Sequence, residues 1–419
     1  MGPLESEVTT LEQFHSSFFQ ERLWFIDQLE PPSSLYNIFD VMQLQGPLDY
    51  EALAQSLQAI LARHEILRTT FVARDGHPWQ VVAPSLTIPF PLEDLSALPD
   101  EQRTAEENRL VAEQVAFHFT LQTGPLIRAL LIRLSATRHV MVVVTHHIVS
   151  DHWSSGIFWR ELISLYHGTI NRQPAILPEL PLQYADFAEW QREMLQGPVL
   201  DEQLRFWHGQ LADASHILEL PTDFPRPAQF SHKGMHTTFS LDRDLGQALH
   251  GLAQREGVTL FMLLLAAFQT LLYRYSGQDD FIIGSPIADR TRPELEAVIG
   301  PFVNTLMLRA QLEGDPQFRE LLQRVRETCL SAYEHQDTPL EKILEDINPE
   351  RNPSYTPLFQ VFFGLQHAAV MKQSVGNIAL SPLIQKTTMV KADIGLTITD
   401  YPNVIDGDIE FCTDLFTPE

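Results

Sequence analysis

Apolar and polar positions change period often along this chain, and the changes predict a mixed succession of strands and helices. Val140-Met141-Val142-Val143-Val144-Thr145 is an unbroken apolar run rich in β-branched residues, which predicts a fully buried strand. Residues 126–134 predict a second strand, joined to it through a polar turn near Thr137-Arg138. Residues 37–44 alternate as a strand does, and residues 49–64 place Leu53, Leu57, Ile60 and Leu61 on one helical face. Residues 68–72 and 79–82 predict a hairpin turning through Asp75-Gly76. An amphipathic helix is expected over 12–30, stopped by Pro31-Pro32. Further helices are expected over 101–117 and 155–166.

The later half repeats this alternation. Strands are expected at 236–241, 281–285, 305–310 and 359–364, with helices at 245–255, 259–275 and 317–333. Between the halves, Gly168, Asn171, Pro174, Pro178 and Pro181 accumulate, as in a linker. The pattern predicts an α/β fold in the broad (α+β) sense, with one lobe over 1–175 and another over 176–419. No short repeat relates the two halves.

Composition narrows the function. A chain of 419 residues exceeds one ordinary core, and 44% hydrophobic residues suit a soluble globular enzyme. The longest apolar run, residues 258–272, is too short for a bilayer span and reads as a core helix. No membrane association is expected. The opening residues are polar and acidic and carry no secretory signal, so a cytoplasmic location is expected. Only Cys329 and Cys412 are present, too few for a disulfide framework or a cysteine metal site. With 29 basic and 54 acidic residues the net charge is −25, which argues against a nucleic-acid partner.

The chemistry gathers where the buried strand ends, at His146-His147-Ile148-Val149-Ser150-Asp151-His152. Imidazole is the side chain best placed to move protons near neutral pH. Three readings compete: structural histidines, a metal site, and a general base or transition-state stabiliser. Successive strand side chains face opposite ways, so His146 and His147 do not readily chelate one ion, and no metal is expected. In the third reading one histidine points inward, the other faces a cleft, and Asp151 holds the turn. That carboxylate then needs a buried arginine, with Arg290 and Arg292 as the candidates. No Gly-x-Ser-x-Gly elbow, reactive-cysteine context or phosphate-binding glycine loop is present. A base without its own nucleophile points to transfer between two bound substrates.

These residues resemble the His-His-x-x-x-Asp-Gly hallmark of nonribosomal peptide synthetase condensation domains, matched at 146–151 but not at His152. Six further segments resemble that family's motifs, in family order. They are Phe19-Gln20-Glu21-Arg22-Leu23-Trp24-Phe25, Arg63-His64-Glu65-Ile66-Leu67-Arg68-Thr69-Thr70-Phe71, and Tyr184-Ala185-Asp186-Phe187-Ala188-Glu189-Trp190. The others are Ile299-Gly300-Pro301-Phe302-Val303-Asn304-Thr305, His335-Gln336-Asp337-Thr338-Pro339-Leu340-Glu341, and Pro357-Leu358-Phe359-Gln360-Val361-Phe362-Phe363. By themselves, residues 63–71 read as a helix end running into a strand, and 184–190 as an aromatic face on a core.

The resemblance implies two chloramphenicol-acetyltransferase-like lobes in a V-shaped pseudodimer with a central tunnel. It implies no cofactor of the chain's own. Substrates arrive as thioesters on phosphopantetheine arms of donor and acceptor carrier proteins, beside an adenylation domain of the same synthetase. The isolated domain is expected to be monomeric. The family's catalytic role falls on His147, with His146, Asp151 and Arg290 in support. His152, Trp153, Ser154, Asn304 and Gln360 are expected near the tunnel or substrate. The opening segment, with Asp27-Gln28-Leu29-Glu30-Pro31 after it, resembles the subtype joining an L-donor to an L-acceptor. The chain also ends, at Thr417-Pro418-Glu419, before members of the family usually do, which reads as a piece of a larger synthetase.

His152 stands where the motif has glycine. Glycine would permit a positive φ or the close approach of an arm. The histidine reads in three ways: a tolerated substitution, a reshaping of the tunnel for an unusual donor, or a second base that modifies the bound amino acid, for example by dehydrating Ser or Thr. From another class, the chain also reads as a non-catalytic module docking a carrier or a tailoring enzyme.

Overall fold

A computed structural model describes residues 11–29, 33–350, 352–367, 373–375, 378–383 and 388–418. The chain divides into two compact units. The first comprises Met1–Met194, Arg290–Phe302 and Val370–Ile384, and the second Leu195–Asp289, Val303–Ala369 and Gln385–Glu419. The expected boundary at 175 therefore lies inside the first unit. The helix Tyr184–Met194 stays with that unit because Tyr184, Phe187 and Ala188 are buried in its core. Two later segments also return to it, which no local pattern announces.

The first unit is built on a six-stranded sheet. Its central strand is the apolar run, Arg138–His146, which pairs antiparallel with Asn37–Gln45 on one side and Ile127–Ser135 on the other. Val140 to Val144 are all 4% exposed or less, as burial on both faces requires. The strand therefore delivers His146 opposite Asn37, at the edge of a rigid core. Helices Tyr50–Arg63 and His152–Ile170 pack together within the same unit. Asp49 caps the first of them by accepting the Ala52 N–H. The hairpin forms as expected, between Thr69–Arg74 and His77–Val82, with Asp75 and Gly76 both at positive φ.

One local expectation fails. Residues 12–15 form a strand, Glu12–His15, paired antiparallel with His77–Val82, and the helix begins only at Phe18. Pairing with a distant hairpin outweighs the helical period read over 12–30. The expected stop at Pro31-Pro32 lies outside the described residues.

The second unit also holds a six-stranded sheet, in the order Asn304–Gln311, Asp280–Ile287, Val361–His367, Ile394–Asp400, Ile405–Cys412, Gly234–Leu241. In that order its second and third pairings are parallel and the other three antiparallel. The apolar run near residue 260 forms the helix Leu260–Ser276, with eight residues buried, among them Leu265, Ala266 and Phe268. Among the described residues no single helix is long and apolar enough to cross a membrane.

Gly284 lies in Asp280–Ile287, and a Cβ built there would come within 2.6 Å of the buried Phe359 ring. Gly284→Ala should therefore cost about 1–3 kcal/mol. By contrast, a Cβ at Gly209, in the helix Gly197–Leu211, meets nothing within 4 Å. Gly209→Ala should gain about 0.5–1 kcal/mol. Urea midpoints compare the two, and equal shifts would contradict the packing described.

Candidate active site

The site grows from the turn that joins the buried strand to the helix His152–Ile170. Asp151 is the N-cap of that helix, and its Oδ1 accepts the Ser154 N–H at 2.7 Å and the Ser154 hydroxyl at 2.6 Å. Oδ2 accepts the Phe302 N–H at 3.1 Å. The Arg290 guanidinium spans both oxygens, Nη1 at 2.8 Å from Oδ2 and Nη2 at 3.3 Å from Oδ1. The two side chains are 2% and 4% exposed, so this pair is dry. Arg290 Nη2 also donates to Ser154 Oγ and the Val298 carbonyl, and its guanidinium lies 4.2 Å from the Phe302 ring centre. Arg292, the other candidate, instead covers Trp190 at 4.2 Å. Asp289, just before Arg290, takes φ 47°, a left-handed turn that Asp tolerates.

This pair holds residues 290–302 against the turn. Ser154 Oγ accepts the Gly300 N–H at 3.0 Å, and Tyr184 Oη donates to the Pro301 carbonyl at 3.0 Å. A Cβ on Gly300 would come within 2.0 Å of the Tyr184 ring, so only glycine admits this approach. Ser154, expected near substrate, is instead buried and joins Asp151, Arg290 and Gly300.

The two histidines differ. His147 Nδ1 lies 2.8 Å from the Ser150 carbonyl. A carbonyl only accepts, so Nδ1 carries the proton, and in the neutral ring the lone pair sits on Nε2. The ring is partly exposed, and the edge of Phe19 rests against it at 5.1 Å between centres. His146 is buried and has the opposite tautomer: its Nδ1 accepts the Ile148 N–H at 3.1 Å, which leaves the proton on Nε2. Among the described residues no group of three or more His, Cys, Asp or Glu could hold a metal.

His152 is the first residue of the helix, exposed, and not among the residues with positive φ. The backbone there does not use the positive φ that glycine would permit. Trp153 is 45% exposed and donates from Nε1 to the Glu296 carbonyl at 3.1 Å. Behind the turn, Asp40 lines a small cavity with Ser150, Ser154 and Ser155. Burial pushes its carboxyl above the ordinary aspartate value.

Asn304 and Gln360 belong to the second unit, and both amides are occupied. Asn304 donates to the Gln336 and Thr338 carbonyls and accepts the Thr305 and Leu340 N–H groups. Gln360 is 1% exposed, accepts the Leu218 N–H, and donates to the His216 and Thr356 carbonyls. Each pins a loop through its amide.

Gln20, within the first motif, is a functional-site residue that the sequence pattern alone does not mark. It is buried, and its amide donates to the Ile148 carbonyl at 3.1 Å, beside His147. A glutamine on an apolar helix face was the available signal.

Residues 12–419 match the family model described as "Condensation domain". The chain is 44% identical over 397 residues to chondramide synthase cmdD of Chondromyces crocatus, covering 95% of this chain and 10% of that protein. It is 41% identical over 409 residues to phosphinothricin tripeptide synthetase PhsC of Streptomyces viridochromogenes, covering 96% of this chain and 37% of that one. The chain thus spans well under half the length of either relative. Among solved structures, the X-domain from teicoplanin biosynthesis superposes with a TM-score of 0.87 at 28% identity, covering 99% of this chain and 93% of that chain.

Removing Arg290 should strand a buried carboxylate. Arg290→Ala is expected to cost about 3–5 kcal/mol in equilibrium urea unfolding. Arg292→Ala, which loses a ring contact, should cost about 1 kcal/mol or less. Equal losses would show that the bidentate pair is not the anchor.

Proposed function

The chain belongs to the condensation-domain family, and on that premise we propose that it forms an amide between two thioester-bound substrates. A carrier-bound acyl or peptidyl thioester is the donor, and the α-amine of a carrier-bound amino acid is the acceptor. The amine nitrogen attacks the thioester carbonyl, the C–N bond forms, the C–S bond breaks, and the carrier thiol takes up the proton. The observation that supports this most strongly is the His147 tautomer. With Nδ1 donating to the Ser150 carbonyl, Nε2 has the lone pair that receives the amine proton or holds the amine by a hydrogen bond. Asp151 and Arg290 act as positioning residues, because their buried pair holds the turn that carries the motif.

The relatives are synthetases much longer than this chain, which supports carrier proteins and an adenylation domain as its neighbours; a cytoplasmic location is part of the same proposal. The L-donor, L-acceptor subtype rests on the segment Phe19 to Phe25 and on the stretch Asp27 to Pro31 after it. His152 is read as a tolerated substitution, because it is exposed and helical.

A second reading is favoured by one likeness. A teicoplanin X-domain that forms a complex with OxyB is 27% identical to this chain, with a TM-score of 0.87. A docking module would need no base at position 147, whereas here His147 and Asp151 are both held in ordered geometry.

Single-turnover transfer between a loaded donor carrier and a loaded acceptor carrier separates the readings. His147→Ala should slow amide formation by about 10²–10⁴-fold. Equal rates in wild type and variant would abandon the catalytic assignment in favour of docking. His152→Gly should stay within about threefold of wild type. A collapse in that rate, or a product lighter by one water from a Ser or Thr substrate, would make His152 a functional residue.

A further inference from the structure

A cavity of about 310 Å³ lies in the first unit, apart from the face of His147. Its walls come from the segment after the helix Asp100–Val115, the start of the strand Ile127–Ser135, and the stretch from Ile88 to Pro91. Phe117, Phe119, Ile88 and Ile127 make these walls apolar. They are held in place from behind: Asn37 Nδ2 donates to the Val115 carbonyl at 2.8 Å and the Phe117 carbonyl at 2.7 Å. The cavity is therefore preformed, and its volume sits at the lower end of the range of ligand pockets.

Arg128 brings a fixed positive charge to the lining. Its guanidinium lies 3.9 Å from the Phe117 ring centre and is half-buried. No carboxylate reaches it within ion-pair distance among the described residues. The acid whose charge is felt there is Glu113, and that carboxylate pairs with Arg109 at 2.9 Å. Burial lowers the Arg128 pKa from its ordinary value, the mark of a charge short of a counterion. Such a charge stands out in a chain with 54 acidic residues against 29 basic ones. A guanidinium packed over a ring can still present N–H groups to an anion, in the fork that suits carboxylate and phosphate.

We propose that this cavity binds an apolar chain with an anionic head, the head on Arg128 and the tail along Phe117, Phe119 and Ile127. At the roughly 30 Å³ that a water occupies in the liquid, the cavity holds about ten non-hydrogen atoms, the size of an eight-carbon carboxylate. Carboxylate and phosphate heads both fit this chemistry. The site is separate from the transfer reaction proposed above and stands whether or not that reading does. The Phe119 ring also packs against the His146 ring, nearly perpendicular and 6.2 Å apart between centres, so an occupant would rest one ring away from the motif.

Isothermal titration of the whole chain tests this, using octanoate and octyl phosphate below their micelle concentrations, with octanol and octylammonium as controls. At least one anion should bind one-to-one and at least tenfold more tightly than either control, and the tighter anion identifies the head group. Arg128→Gln should reduce that anion to the affinity of octanol, with the circular dichroism of the fold retained. Phe117→Ala, at an exposed ring, should weaken anion and octanol alike by at least threefold. His147→Ala should bind as wild type does. Octanol or octylammonium binding as tightly as the anions, no binding by either anion, an unchanged Arg128→Gln, or a loss in His147→Ala would each overturn the proposal.

Discussion

A dry ion pair between Asp151 and Arg290 fixes everything around the motif. Two charges taken out of water are tolerated only when the geometry is close and the remaining lone pairs are filled. Here they are: the Asp151 oxygens take the Ser154 N–H and hydroxyl, the Phe302 N–H and both ends of the guanidinium. The same carboxylate caps the helix His152–Ile170, so one side chain starts the helix and anchors a segment far along the chain. Residues 290–302 belong to the first unit on the strength of this anchor, though the chain on either side belongs to the second. The Gly300 contact with Tyr184 follows from it, because the backbone is drawn in closer than any side chain at that position would allow.

The histidines show how a short stretch of backbone can assign two chemically identical groups different tasks. At position 146 a backbone N–H meets Nδ1, and at position 147 a carbonyl meets Nδ1. A donor and an acceptor, presented in turn by the same tight loop, put the lone pairs on different nitrogens. His146 is closed into the core. His147 has its lone pair on Nε2, at the partly exposed end of the strand. Gln20 and Phe19, from the first helix, brace the loop from above.

What could be read from the sequence depends on the range of the interactions involved. The buried strand, the hairpin at Asp75-Gly76 and the helices are local patterns of period or turn chemistry, and they appear within a few residues of where they are expected. The strand Glu12–His15 does not, because its identity depends on a partner near residue 80. Asp151 as a turn anchor was legible, and so was its need for an arginine. Choosing Arg290 over Arg292 required the family resemblance, since the two are equivalent in composition and differ only in where the chain turns after Asp289. Asn304 and Gln360 show the opposite limit: a polar residue in a motif does not reveal from sequence the four and three hydrogen bonds, respectively, by which its amide holds the backbone. The positive φ that the motif glycine would permit is not used at His152, since the cap at Asp151 makes the next residue helical.

The chemistry assigned to the motif depends on the tautomer of His147, and nitrogen-15 NMR of histidine-labelled protein reads it directly. Above the titration range of the ring, Nδ1 of His147 should show the shift of a protonated nitrogen and Nε2 that of a bare lone pair, with His146 reversed. A His147 ring protonated on Nε2 would contradict this assignment, because the nitrogen meant to meet the amine would then be a donor.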